Sequence, residues 1–190
     1  MLFRSAYGGS AIGGLIRRWE IDPTDPNYTG DIRHALAIAL RGDQLLYTGK
    51  LPAGAYGDSY DARGYGLKLG YVWPATEQDY NSDTVYSGTV PMGTYLAIPA
   101  TVDLTTLGLS TGPGMMMAKA LQDYGSYITD RSGTSSFYVE DDGSTVTANF
   151  ANTLKGGDFS GHDLKILFKA LRVVTSNGPL TPNGGPVNAA

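Results

Sequence analysis

The sequence predicts a mainly β domain, a sandwich or jelly-roll-like fold carrying two short α-helices. Three observations predict it. Only 17% of the 190 residues are charged, well below the usual quarter, and Lys and Glu are the staple of exposed helices. The deficit is filled by 26 Gly and 13 Tyr; Tyr, Thr and Val suit half-buried strands, and Gly supplies the tight turns between them. The clearest periodic segment, 32–40, alternates as a strand does, with His34, Leu36, Ile38 and Leu40 on one face and Ala35, Ala37 and Ala39 on the other.

The remaining elements follow in order. Residues 15–21 read as a short strand after a Gly-rich start, and the two Asp-Pro steps at Asp22-Pro23 and Asp25-Pro26 break regular structure. Strands are expected at 44–48, 67–73, 94–98, 127–130, 136–140, 145–150 and 172–175. A single helical turn at 103–108 is capped by Asp103 and ended by Gly108. One helix spans 113–124, with Pro113 early and Gly125 just past its end. A second spans 161–171, where Ser160 and Asp163 fit a capping box and Leu164, Leu167, Phe168 and Leu171 form a stripe. One domain of 1–176 is expected, with 43–70 as a long Gly/Tyr-rich loop or arm and 177–190 as an extended tail.

The net charge is −4 and no basic run occurs, which argues against phosphate-driven nucleic-acid binding. With no cysteine, disulfides, thiolate metal sites and a Cys nucleophile are excluded. No apolar stretch is long enough for a spanning helix, and the N-terminus does not read as a secretory signal.

Chemistry-bearing residues fall into three groups. Asp123 and Asp130, with His34 or Tyr124, are the candidate acid–base set, since paired carboxylates are the usual glycosidase device and His titrates near neutrality; turn and cap roles for the aspartates and a core role for His34 stand beside this. Asp25, Asn27 and Asp31 fit the opening of a calcium loop, but its twelfth position is Leu36 where a bidentate Glu belongs, so a polar turn is the simpler reading and no other metal or cofactor is expected. Tyr56, Tyr60, Tyr65, Tyr71 and Trp73 crowd a loop-rich span; such rings either stack on sugars and anchor interfaces or fill the core.

Several segments together carry a resemblance. Gly9-Ser10-Ala11-Ile12-Gly13-Gly14-Leu15-Ile16-Arg17, Ile32-Arg33-His34-Ala35-Leu36, Tyr71-Val72-Trp73-Pro74-Ala75-Thr76, Ala118-Lys119-Ala120-Leu121-Gln122-Asp123-Tyr124-Gly125 with Tyr127 and Asp130, and Leu171-Arg172-Val173-Val174 resemble an uncharacterised group of bacterial secreted and phage-encoded β-rich proteins. The resemblance implies an extracellular or virion-associated setting and a link to polysaccharide. It also implies an N-terminal β-rich segment that would come from another subunit or be dispensed with here, and a shorter loop than 43–68.

The combined expectation is a non-enzymatic structural or binding module that assembles with other protein subunits and binds glycans through Tyr and Trp. The alternative is a polysaccharide hydrolase or lyase using the carboxylate, His and Tyr set.

Overall fold

The structure is a computed structural model that describes residues 5–10, 12–47, 71–79, 81–155 and 162–182. Its five strands are β1 (Leu36–Leu40), β2 (Tyr95–Ala97), β3 (Ser126–Arg131), β4 (Ser136–Phe137) and β5 (Arg172–Val173). They form one sheet in the order β4-β1-β3-β2-β5. β1 and β3 run parallel, and every other pairing is antiparallel. Five α-helices accompany them among the described residues: α1 (Arg18–Ile21), α2 (Ser82–Val85), α3 (Gly112–Asp123), α4 (Thr145–Lys155) and α5 (His162–Ala170), with a 3-10 turn at Leu104–Thr106.

This mixed sheet with a substantial helical layer overturns the mainly β sandwich with two short helices. The reason begins in β1. All five of its residues are buried, the alanines included, which is the signature of a strand covered on both faces rather than one facing water. Leu36, Ile38, Leu40 and Ile128 join Met117 and Leu121 of α3, Phe150 and Leu154 of α4 and Leu167 of α5 in one core.

Two further expectations fail locally. The predicted strand 145–150 is the first half of α4. Its β-branched Thr-Val-Thr start favours a strand, but Asp142 Oδ1 accepts from Ser144 N (2.9 Å) and from Thr147 Oγ1 (3.1 Å), fixing the turn that opens the helix. Thr147, Phe150 and Leu154 then bury at helical spacing. The predicted strand 15–21 pairs only through Ile16, bridged to Val139, before turning into α1. Leu45 and Tyr71 make isolated bridges, to Val90 and Met92; residues 48 and 67–70 of the expected strands 44–48 and 67–73 lie outside the described residues.

The elements read from caps fare better. Thr111 caps α3 by accepting Gly114 N–H, and Gly125 takes φ +64° beyond its end. Asp103 caps the 3-10 turn through Thr105 N–H. Asp163 is turned toward α3, while Ser160, its expected capping partner, lies outside the described residues. Its carboxylate is 2% exposed and receives the backbone N–H and hydroxyl of both Ser110 and Thr111 at 2.5–3.1 Å. It thus ties the start of α5 to the start of α3, and a Cβ at Gly114 would collide with it. The start of the tail is tied down as well, since Asn177 is buried, donates to Trp73 O (3.3 Å) and accepts from the Tyr127 hydroxyl (3.3 Å). Most of the 43–70 arm and the end of the tail lie outside the described residues.

Burial alone would raise the Asp163 pKa, but the bonds from Thr111 and Ser110 prevail and hold it below the usual range. Its contribution to stability is complete above the unfolded-state value of about 4 and is lost as pH falls through the depressed folded value. Asp163→Ala leaves buried donors unpaired and is expected to cost about 3 kcal/mol at neutral pH. Urea unfolding at pH 7 and pH 3 checks this: the gap between variant and parent should narrow in acid.

Candidate functional site

The parallel pair has two ends, and each gathers a polar cluster. At the N-terminal end, His34 precedes β1. Its Nδ1 lies 2.9 Å from Ala35 O, an atom that can only accept, so Nδ1 carries a proton. Its Nε2 faces both carboxylate oxygens of Glu20, at 3.1 and 3.3 Å. Glu20 is 4% exposed and also accepts Arg17 N–H at 2.7 Å. In the imidazolium form both ring nitrogens donate, and the bond to Glu20 favours that form, raising the His34 pKa against the opposing effect of burial.

Around this ion pair lies a groove of about 330 Å³ lined by Ile12, Arg17, Trp19, Thr29, Asp31 and Arg33 together with His34 and Glu20. Trp19 is 40% exposed, with the Arg17 guanidinium 5.7 Å from its ring centroid. Arg33 Nε holds Asp31 Oδ2 at 2.9 Å, while Asp31 Oδ1 is buried and has no hydrogen-bond partner. Gly14 lies along this edge, accepting Ala37 N–H (2.9 Å) at φ +76°, and a Cβ there would strike the β1 backbone.

At the C-terminal end, β3 carries a bulge. Ile38 pairs with Ile128 but Ala39 pairs with Asp130, leaving Thr129 as the extra residue. Asp130 shares a hydrogen bond with the Tyr138 hydroxyl. Burial raises the Asp130 pKa, and the nearby charge of Asp79 adds to it; burial and Asp130 together push Tyr138 up to about 12. Asp79 also accepts a short hydrogen bond from Tyr86, whose pKa burial likewise raises. Arg131 Nε sits 3.6 Å from Asp79 Oδ2 and is buried without a hydrogen bond, as is Gln78 Oε1.

The structure separates the expected acid–base set. His34 lies at one end of β1, while Asp130 pairs with Ala39 near the other, five residues and roughly 16 Å along the strand. Asp123, the last residue of α3, and Tyr124, its C-cap, are exposed, and Tyr124 lies near enough to Arg33 to interact with its charge. Asp123, Tyr124 and His34 therefore share the N-terminal end, and Asp130 does not. Among the aromatics, Tyr71 is 3% exposed and belongs to the core. Trp73 is half-buried, edge-on to Tyr127 at 6.4 Å. Tyr56, Tyr60 and Tyr65 lie outside the described residues.

The calcium-like loop is an Asx turn. Asp25 Oδ1 accepts Asn27 N–H at 2.8 Å, and Arg18 and Arg33 face Asp25 and Asp31, supplying positive charge where a cation would have to sit. Sequence reasoning missed Glu20, Trp19, Asp79 and Tyr138. The only available signal for Glu20 was its place three residues after Arg17, from which a carboxylate reaches back to that N–H.

No helix among the described residues is long and apolar enough to cross a membrane. Comparison with protein-family models, with curated proteins and with solved structures found no match.

The His34–Glu20 pair gives a direct test. Glu20→Gln should lower the His34 pKa toward its ordinary value, read by NMR titration of the ring C–H signals with His162 as internal reference. Because the folded pKa is raised, the pair's stabilisation is complete below about pH 6.5 and is lost as pH rises through the folded value. The variant should therefore lose stability mainly on the acidic side.

Proposed function

We propose that the chain is a binding module whose groove beside His34 takes an acidic saccharide, in the extracellular or virion-associated setting that the sequence resemblance implies. The observation that carries this is the exposed Trp19 ring set among planar polar groups. Sugars offer a flat C–H face to an aromatic ring and hydroxyls to carboxylates and guanidinium groups. Arg17 lies 3.8 Å from Glu140 Oε1 and Arg33 2.9 Å from Asp31 Oδ2, and both guanidinium groups line the groove with further N–H groups, well shaped to receive a ligand carboxylate. In this reading Trp19 takes the stacking role expected of Trp73.

Intrinsic fluorescence tests it in a Trp73→Phe background, where Trp19 alone reports, since the chain has two tryptophans. Oligogalacturonates should give a saturable change that neutral oligosaccharides produce about tenfold more weakly. Trp19→Ala should abolish binding measured by calorimetry. No saturation with any acidic sugar, or undiminished binding by the Trp19→Ala variant, overturns the reading.

A second reading, a polysaccharide-degrading enzyme, is favoured by one observation at the opposite end of the sheet. Burial favours the protonated form of Asp130, beside Tyr138 and the second carboxylate of Asp79, the pairing of environments that separates a general acid from a base. It predicts new reducing ends or unsaturated products from a polysaccharide panel, lost in Asp130→Asn. A panel without product, from protein that still binds sugar, dismisses it.

A further inference from the structure

The protein neutralises most of its described arginines with carboxylates. Arg17 faces Glu140, Arg18 faces Asp22 and Asp142, Arg33 faces Asp31, Arg41 faces Asp43, and Arg131 faces Asp79. Arg172 departs from this, and it adjoins two lysines. Lys165 and Lys169 of α5 and Arg172 of β5 are exposed, and no carboxylate among the described residues pairs with them. The Arg172 guanidinium donates to Lys169 O and Leu171 O, both at 2.7 Å, which caps α5 and leaves its charge uncompensated. The spacing of four and then three residues aligns the three as a ridge along the helix and its exit.

Apolar grooves flank that ridge. On one side a groove of about 420 Å³ is lined by Pro99, Val102, Leu107, Ile166 and Ala170. On the other a groove of about 440 Å³ is lined by Leu40, Leu96, Phe168 and Leu171. Lys169 borders both, and no acidic residue lines either. A solvated lysine face on a helix is commonplace, but it does not ordinarily stand between two apolar depressions. The combination of apolar pockets with uncompensated positive charge, in a chain of net charge −4, defines its complement: apolar side chains projecting from an acidic backbone segment.

We propose that this face docks an acidic amphipathic segment of another protein chain, with its aliphatic or aromatic side chains in the two grooves and its carboxylates on Lys165, Lys169 and Arg172. The surface shares no residue with the groove beside His34, so a ligand there and a partner here could be held together, as a module that joins a saccharide to an assembly requires.

The probe is a fluorescein-labelled synthetic peptide with Leu at i, i+3, i+4 and i+7 and Glu elsewhere, followed by anisotropy against the full chain. Binding should weaken about tenfold when the Leu are replaced by Ala, and similarly in Lys165→Glu/Lys169→Glu. That double variant alters only exposed side chains, and circular dichroism and thermal unfolding should match the parent. A second variant, Ala170→Glu, places a like charge at the groove wall and should also weaken binding. The proposal is overturned by absence of binding, by polyglutamate competing as well as the peptide, or by a double variant that binds undiminished. It is also overturned if sedimentation shows the parent self-associating through this face and Lys165→Glu/Lys169→Glu dispersing it, which would make a second copy the occupant.

Discussion

The parallel pairing of β1 with β3 is the constraint on which the rest of the molecule depends. A parallel pair needs cover on both faces, and β1 meets that need with a run of Leu, Ala, Ile, Ala and Leu in which every residue is buried. The alanines are small enough to let a second layer approach, and Gly14 comes so near the β1 backbone that no side chain would fit there. The bulge at Thr129 then shifts the register of β3 by one residue before Asp130 and Arg131. Since side chains alternate along a strand, a one-residue shift exchanges the faces. The polar cluster around Asp79, Asp130 and Tyr138 is therefore a product of the bulge as much as of the residues themselves.

The two ends of that pair hold protons differently. His34 spends both ring nitrogens, on Ala35 O and on the Glu20 carboxylate, so neither is available to take a proton from a ligand. The Glu20 contact favours its protonated, charged form. Asp130 is the opposite case, a carboxyl whose burial favours the protonated form. The comparison with Asp142 and Asp163 identifies the cause. Asp142 is held down to about 2 by the hydroxyl and backbone N–H of Ser144, and Asp163 is held down by donors from Ser110 and Thr111. Asp130 accepts from the Arg131 N–H and the Tyr138 hydroxyl, but its burial, with the charge of Asp79 added to it, outweighs those donors and raises its pKa.

Elements announced by local chemistry were legible in the sequence. The cap at Asp103, Pro113 in the first turn of α3, the φ-positive Gly108 and Gly125, and the apolar stripe of α5 are read within a few residues of chain. The fold class was not legible, because it turns on long-range facts. The alternation of 32–40 reads as a strand with a bulky apolar face and an alanine face suited to a neighbouring layer, but nothing local to it says that helices supply the cover. The start of α4 offers Thr-Val-Thr to the eye, while its deciding features are the Asp142–Ser144 turn and burial of Phe150 and Leu154. Asp163 illustrates the same limit, for its partners lie more than fifty positions away. In the candidate sites, His34 and Asp130 were visible as residue types, but Glu20 and Tyr138, which set their protonation, were not.

The shape of the sheet edges bears on how any partner would be recognised. Both edge strands, β4 and β5, are two residues long. So short an edge protects against indiscriminate strand pairing, and it equally offers too few backbone groups for a partner to add a strand with useful affinity. Within β5, Val173 is 51% exposed, and Arg172, the end of the α5 ridge, immediately precedes it. Recognition on this side of the molecule must then come from side chains. Apolar pockets alone would accept many partners, and lysines alone would accept any polyanion. Specificity requires both in one arrangement, with Lys169 bordering each groove so that a chain filling them must also bring its carboxylates to the ridge.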